Sequence, residues 1–256
     1  MTKSYTSRSA VIGAIIAFST LPLNAQSTTP IADRYRVTAN RMIATATGDS
    51  SAWNRLAELS DTFGPRLSGS ASLEAAIDWI LAEMKKDGLQ NVRGEPVMVP
   101  KWVRGDESAT LRSPRSAPLH MIGLGRSIGT PKEGITAPVI VVTSFDELTR
   151  RAGEAKGKIV LFDVPFTNYG QTVQYRSRGA SEAAKAGAVA SLIRSVASFS
   201  IQSPHTGAMN YDSTVRQIPA AALSVEDALM VHRMIDRGQK VVVNLKMNAQ
   251  TMADAP

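Results

Sequence analysis

Gly157-Lys158-Ile159-Val160-Leu161-Phe162 and, further on, Glu182-Ala183-Ala184-Lys185-Ala186-Gly187-Ala188 decide how this chain is read. Residues 159–162 form an unbroken run of β-branched and large apolar side chains, the pattern of a strand buried on both faces. The second stretch belongs to a helix. Its small residues Ala180, Ala183, Ala184 and Gly187 form a face that lets a helix lie close against a sheet. Working outward, 139–142 is another apolar run and 189–196 returns as a strand. Ile218-Pro219-Ala220-Ala221-Ala222-Leu223 then leads to Ser224, whose hydroxyl can cap a helix with Asp227 three residues on. That helix ends at Gly238, and Val241, Val243, Leu245 and Met247 alternate in a last strand. Residues 105–247 therefore read as one α/β (α+β) unit of about 140 residues, an ordinary domain size.

Upstream the texture is helical. Trp53, Leu56, Ser60 and Phe63 trace one face after Asp49, Ser50 and Ser51 as candidate N-caps. Gly64-Pro65-Arg66-Leu67-Ser68-Gly69-Ser70 cannot continue a helix. Leu73, Ala76, Ile77, Ile80, Leu81 and Met84 then repeat at helical spacing. Lys85 and Lys86 suit the C-terminal dipole, and Gly88 stops the helix. Residues 97–103 read as extended, interrupted by Pro96 and Pro100, and near Arg104 short apolar runs replace the helical period. No internal repeat is present.

The 256 residues are 43% hydrophobic and 20% charged, a globular balance that excludes wholesale disorder. Basic residues number 29 against 22 acidic, a formal charge of +7. Arginines are scattered and aromatics are only 5%, so the clustered basic and stacking surface of a nucleic-acid binder is not expected. The absence of cysteine excludes disulfides, thiolate nucleophiles and cysteine-ligated zinc. Lys3 and Arg8, the apolar run 10–18 and Leu23-Asn24-Ala25 read together as a signal peptide over 1–25, placing the chain in the periplasm or outside the cell. Removing Lys3 and Arg8 with it leaves 27 basic residues and a charge of +5. An uncleaved anchor is the alternative. The run is short for a bilayer, so no stable membrane span is expected after cleavage.

Hydrolytic metal sites need several His, Asp or Glu side chains converging on the ion. The histidines are His120, His205 and His232, and none forms a His-x-Asp pair or a His-Glu-x-x-His helix. His232 lies in its helix's apolar stripe and reads as a core or rim residue. Gly125-Arg126-Ser127-Ile128-Gly129 matches the nucleophile-elbow pattern, but no helical period follows it, so Ser127 is not expected to be catalytic. Gly123-Leu124-Gly125 lacks the third glycine of a dinucleotide loop, and 153–158 is one residue short of a phosphate loop. Asp146 and Glu147 read as a solvated turn. No catalytic, cofactor-binding or metal-ligating residue is assigned from the residues themselves.

Longer stretches carry a resemblance. Gly157-Lys158-Ile159-Val160-Leu161, the alanine-rich 182–188 and Ile218-Pro219-Ala220-Ala221 resemble the protease-associated (PA) domain. More specific are Trp102-Val103-Arg104-Gly105-Asp106-Glu107-Ser108-Ala109, Val142-Thr143-Ser144-Phe145-Asp146-Glu147-Leu148 and Leu192-Ile193-Arg194-Ser195-Val196-Ala197-Ser198-Phe199-Ser200. With Ser203-Pro204-His205-Thr206-Gly207 and the lead-in 61–70, they resemble the carboxypeptidase Q (plasma glutamate carboxypeptidase) family of zinc peptidases. The resemblance implies a leader at 1–25, helices of a zinc-peptidase fold at 26–104, a β-rich PA domain with flanking helices at 105–247, and a linker starting at 248–256. It implies zinc in complete relatives, with ligands downstream of the PA domain, hence no cofactor bound by this chain and no activity on its own. The polar loop 203–210, with Ser203, His205 and Asn210, is the one candidate cleft-facing element; a plain surface loop is the alternative.

Three roles are compatible with this reading. The chain is part of a secreted metallo-exopeptidase acting on small peptides, completed by a catalytic half or a neighbouring chain. It is a free-standing PA module that binds peptide or protein. Or it is a surface protein that forms a homodimer through its amphipathic helices.

Overall fold

The computed structural model describes residues 30–256, so the leader reading at 1–25 lies outside the described residues. The chain divides into two units, Met1–Leu56 and Ala57–Pro256. In the first, α1 (Pro30–Gly48) is followed by the start of α2 (Ser51–Phe63). Asp49 Oδ1 accepts the Ser51 N–H at 2.6 Å, so the polar residues before α2 do cap it. Neither helix buries a residue.

The second unit begins within α2. Trp79 Nε1 donates to Glu58 Oε1 at 3.0 Å, and the Phe63 and Trp79 rings lie 5.7 Å apart. Both contacts link the end of α2 to α3 (Ala71–Lys86). Ser70 caps α3 by accepting the Leu73 N–H, and Gly88 ends its turn at φ +80°. Next come β1 (Trp102–Val103), β2 (Glu107–Ser113), β3 (Ala117–Leu119), β4 (Met121–Gly123) and β5 (Ile135–Val142). Then follow α4 (Phe145–Arg150), α5 (Ala152–Ala155), β6 (Ile159–Phe162), α6 (Tyr169–Lys185), β7 (Ala190–Arg194) and β8 (Ala220–Leu223). The last elements are α7 (Val225–Asp236), β9 (Val242–Met247) and β10 (Gln250–Thr251).

One eight-stranded sheet runs β3-β2-β9-β5-β6-β7-β8-β4, and β1 pairs with β10 in a separate ribbon. The centre, β5 to β8, is parallel, with Val141 opposite Leu161 and Leu161 opposite Leu192. Helices on both faces hide those strands, which is why they could be written as continuous apolar runs. Val141, Ile159, Leu161, Leu192 and Leu223 turn to the face covered by Ala228 and Val231 of α7. Ile140, Val142, Val160, Phe162 and Ile193 turn to the face covered by Leu148, Ala180 and Ala183. The fold is α/β.

The small-residue face of α6 is present but shifted. Ala180 and Ala183 are buried, and the tightest approach is at Gly179, where a β-carbon would lie 3.1 Å from Phe162 Cε2. Gly187 is not on that face; at φ +78° it turns the chain out of the helix. Ser224 caps α7 by accepting the Asp227 N–H. Among the described residues no helix is long and apolar enough to cross a membrane.

Candidate functional site

The connection between β7 and β8 carries the loop 203–210, and it is clamped from three sides. Ser195 at the end of β7 donates its hydroxyl to Leu223 O and accepts the His205 N–H at 2.8 Å. Beneath, Arg176 of α6 lies flat against Gly207, where a β-carbon would sit 2.4 Å from its Cζ. Its Nη2 donates to the Tyr169 hydroxyl at 2.8 Å, and Thr206 O lies 3.4 Å from its Nη1. On the third side the backbone pairs with the 124–127 turn: Gly125 N–H to Gly207 O and Met209 N–H to Gly125 O, both at 3.0 Å. Met209 is fully buried. The loop is thus attached to β7, to α6 and to the 124–127 turn.

Ser203 and His205 are exposed, and the His205 ring meets the Tyr169 ring edge-on at 6.5 Å. Asn210 is also exposed, and its Oδ1 accepts from Arg126 Nη1 at 2.8 Å. Next to it, Tyr211 shares its hydroxyl between the Ile128 N–H at 3.0 Å and Ile218 O at 2.7 Å. Burial raises the Tyr211 phenol above its ordinary pKa, against the lowering effect of the Ile128 N–H and the Ser127 hydroxyl. Asp212 is held below its ordinary value by the Thr214 hydroxyl and N–H and then by Lys185, 3.3 Å away.

Below this loop a cleft of about 540 Å³ opens, which the sequence did not announce. The 64–70 turn contributes Leu67 and Ser68. The segment entering β1 contributes Pro100, Lys101 and Trp102, and Arg126, Tyr211 and Gln217 complete the walls with their neighbours. Trp102 turns its Nε1 inward to Ser127 O at 2.8 Å. Ser127 itself is fully buried: its hydroxyl donates to Ile128 O and accepts the Ala220 N–H at 2.8 Å. The elbow-like glycine pattern is therefore a structural turn.

The other two histidines sit in separate clusters. Asp227 Oδ2 accepts both the backbone N–H of His120, at 2.6 Å, and its Nδ1 at 3.0 Å. His232 is at the rim of its helix, with Nδ1 2.6 Å from Oδ2 of the buried Asp163. Arg194 reaches the other oxygen of that carboxylate at 3.5 Å. Asp163 just beyond β6 and Arg194 at the end of β7 follow the last β6–β7 pair, Phe162 with Ile193, a juxtaposition that a single sequence does not signal. Among the described residues no group of three His, Cys, Asp or Glu side chains is placed to hold a metal ion.

No protein-family model matches the chain. Carboxypeptidase Q of Bos taurus is 59% identical over 203 residues, covering 79% of this chain and 43% of that protein. The Homo sapiens protein is 58% identical over 202 residues with the same coverage. Among solved structures, a peptidase M28 precursor from Shewanella amazonensis superposes with a TM-score of 0.81 at 35% identity. It covers 87% of this chain and 52% of that one. A zinc aminopeptidase from Bacillus subtilis, at 22% identity and a TM-score of 0.51 over 80% of this chain and 44% of that one, shares the fold alone. The chain spans less than half the length of the curated relatives it matches. Over most of its length it is thus a carboxypeptidase Q-like sequence in an M28 peptidase-like α/β fold.

Proposed function

We propose that this chain is the N-terminal, PA-containing portion of an exported zinc exopeptidase of the carboxypeptidase Q type, acting on small peptides. The observation that carries the reading is the 59% identity to carboxypeptidase Q over 203 residues, which amount to 43% of that protein. Zinc-assisted hydrolysis needs several side chains around the ion and an open position for water. As the resemblance implies, we assign the metal ligands to the remaining length of the enzyme and read this chain alone as inactive. Residues 26–104 supply helices of the peptidase fold, 105–247 the PA domain, and 248–256 the return to the catalytic part. The leader at 1–25 directs export. The loop with Ser203, His205 and Asn210 overhangs the peptide cleft, a role supported by its position above the cleft lined by Ala208 and Tyr211. The partner of this chain is the catalytic half, and small peptides reach it through that half.

Zinc binding and dipeptide hydrolysis are to be measured for the purified mature chain, alone and mixed with the complementary portion of a carboxypeptidase Q relative. Zinc-dependent hydrolysis in the mixture only is the expected result. Hydrolysis by the chain alone would overturn the division of roles. A folded chain inactive in both settings would favour the free-standing binding module, a reading supported by the closed core of the sheet.

A further inference from the structure

The geometry points to the 540 Å³ cleft as a carboxylate site, in which Arg126 and Lys101 receive the C-terminal carboxylate of a small peptide. The inference rests on the peptidase reading above and names what part of the substrate this segment holds. Three observations carry it. First, among the described residues the side chains charged at neutral pH that line the cleft are Lys101 and Arg126, with no aspartate or glutamate. The lining is thus complementary to an anion. The volume lies within the range of pockets that enclose small molecules.

Second, Arg126 has φ +72°. A residue with a β-carbon is strained in that region and a glycine is not, and such strain gathers at ligand clamps. The turn 124–127, closed by the Ser127 N–H on Leu124 O at 3.0 Å, has Arg126 as its left-handed third residue, a place that glycine fills without strain. It does not need an arginine. What the arginine adds is a guanidinium steadied by Asn210 Oδ1 at 2.8 Å, with further N–H groups left to bind a second acceptor.

Third, the walls are set in advance. Trp102 and Tyr211 spend their polar atoms on Ser127 O, on the Ile128 N–H and on Ile218 O. Their rings, with Leu67 and Pro100, form fixed apolar surfaces beside the two cations. A site with positioned cations and rigid apolar walls suits the chain end of a peptide, a carboxylate next to a side chain.

Calorimetric titration of the purified chain with glycyl-leucine and with its C-terminal amide tests this. The dipeptide is expected to bind, and the amide at least about tenfold more weakly, the size of one lost charge-assisted hydrogen bond. Arg126→Gly and Lys101→Met should each weaken dipeptide binding by about tenfold. Arg126→Gly should also keep or raise the melting temperature, because it relieves the positive φ, so lost binding would not reflect lost folding. Equal affinity for the amide, parent-like binding by Arg126→Gly, or no dipeptide binding by the parent chain would each overturn the site. In the reconstituted enzyme, Arg126→Gly with unchanged KM would sink the carboxylate site while leaving the peptidase reading intact. A reconstituted mixture without hydrolysis would sink the peptidase reading, while the titration still decides whether the cleft takes a carboxylate.

Discussion

Helices α3 and α6 are of nearly equal length, and the more apolar of the two is the less buried. Helix α3 carries Leu73, Ile77, Ile80, Leu81 and Met84, yet only Ala76 is buried, with Ile77 and Ile80 each 37% exposed. Helix α6 has Val173 as its sole large aliphatic residue but buries Thr172, Arg176, Gly179, Ala180, Ser181 and Ala183. Short side chains let the backbone of α6 settle onto Phe162 and the sheet. Ile77 and Ile80 of α3 are left exposed, as are Leu89, Val97 and Met98 in the segment that follows it. Burial thus follows from a complementary surface, not from how apolar a helix is. Exposed apolar side chains grouped in this way suit a contact face, which the function proposed above would give to the catalytic half.

The sharpest way to break this comparison is to truncate one apolar side chain on each side of it. Phe162→Ala removes a ring in contact with α6 and should cost about 3–5 kcal/mol in urea denaturation. Ile80→Ala, also a large-to-small change, should cost under about 1 kcal/mol in the chain alone, because no tight cavity is left behind. Equal losses would mean that α3 is as well packed as the sheet. The next largest effect belongs to Gly207→Ala. The added β-carbon must displace either Arg176, whose Cζ lies 2.4 Å away, or the loop. An overpacking cost of about 1–3 kcal/mol is expected in thermal denaturation. A neutral result would show the loop to be looser than its hydrogen bonds imply.

How much of this was legible in the sequence depended on the source of each signal. Strands β5, β6 and β7 announced themselves because both of their faces are buried. Helix α7 did so because Ser224 and Asp227 mark its start within the chain itself. Strand β2 was not legible: its buried face is only Ala109 and Leu111, set among polar residues. Ser127 was set aside as a nucleophile because no helical period follows it; its hydroxyl is buried between Ile128 O and the Ala220 N–H. The cleft was invisible for a different reason. Leu67, Lys101, Arg126 and Tyr211 come from four distant segments, and the bonds that join such segments, Trp102 to Ser127 O, the Ile128 N–H to Tyr211 and the pairing of Gly125 with Ala208, are tertiary. The left-handed backbone at Arg126 carries no mark in the residue type. His232 and Asp163 stand 69 residues apart, and only the sheet joins them.

A smaller effect sharpens the contact-face argument. Ile77→Glu with Ile80→Glu places two charges on the exposed face of α3. In the chain alone each change should alter stability by less than about 0.5 kcal/mol, since surface substitutions away from special features seldom do more. The same pair should abolish recovery of activity with the complementary portion, because a charge buried without a partner opposes association. A large loss of stability in the chain alone would instead place a partner for α3 within this chain.

The smallest effect is one of pH, and it lies on the α6 side of the comparison. Asp212 accepts from the Thr214 hydroxyl at 2.6 Å and N–H at 2.9 Å, and Lys185 of α6 stands 3.3 Å away. These contacts favour the ionised carboxylate and hold its pKa below the ordinary 3.8. A carboxyl depressed on folding adds stability that is fully present above its unfolded value and is lost as pH falls through the folded one. Asp212→Asn should therefore lower stability slightly at neutral pH. The gap between the two proteins should close as the solution is taken below about pH 3.8, the value of the free side chain. High salt should shrink the neutral-pH gap through the exposed Lys185 pair but leave the part that comes from Thr214. A gap that persists unchanged into acid would mean that Asp212 acts through shape and not through its charge. The loop's attachment to α6 would then rest on Arg176, Ser177 and Ser181, with the Tyr169 ring against His205.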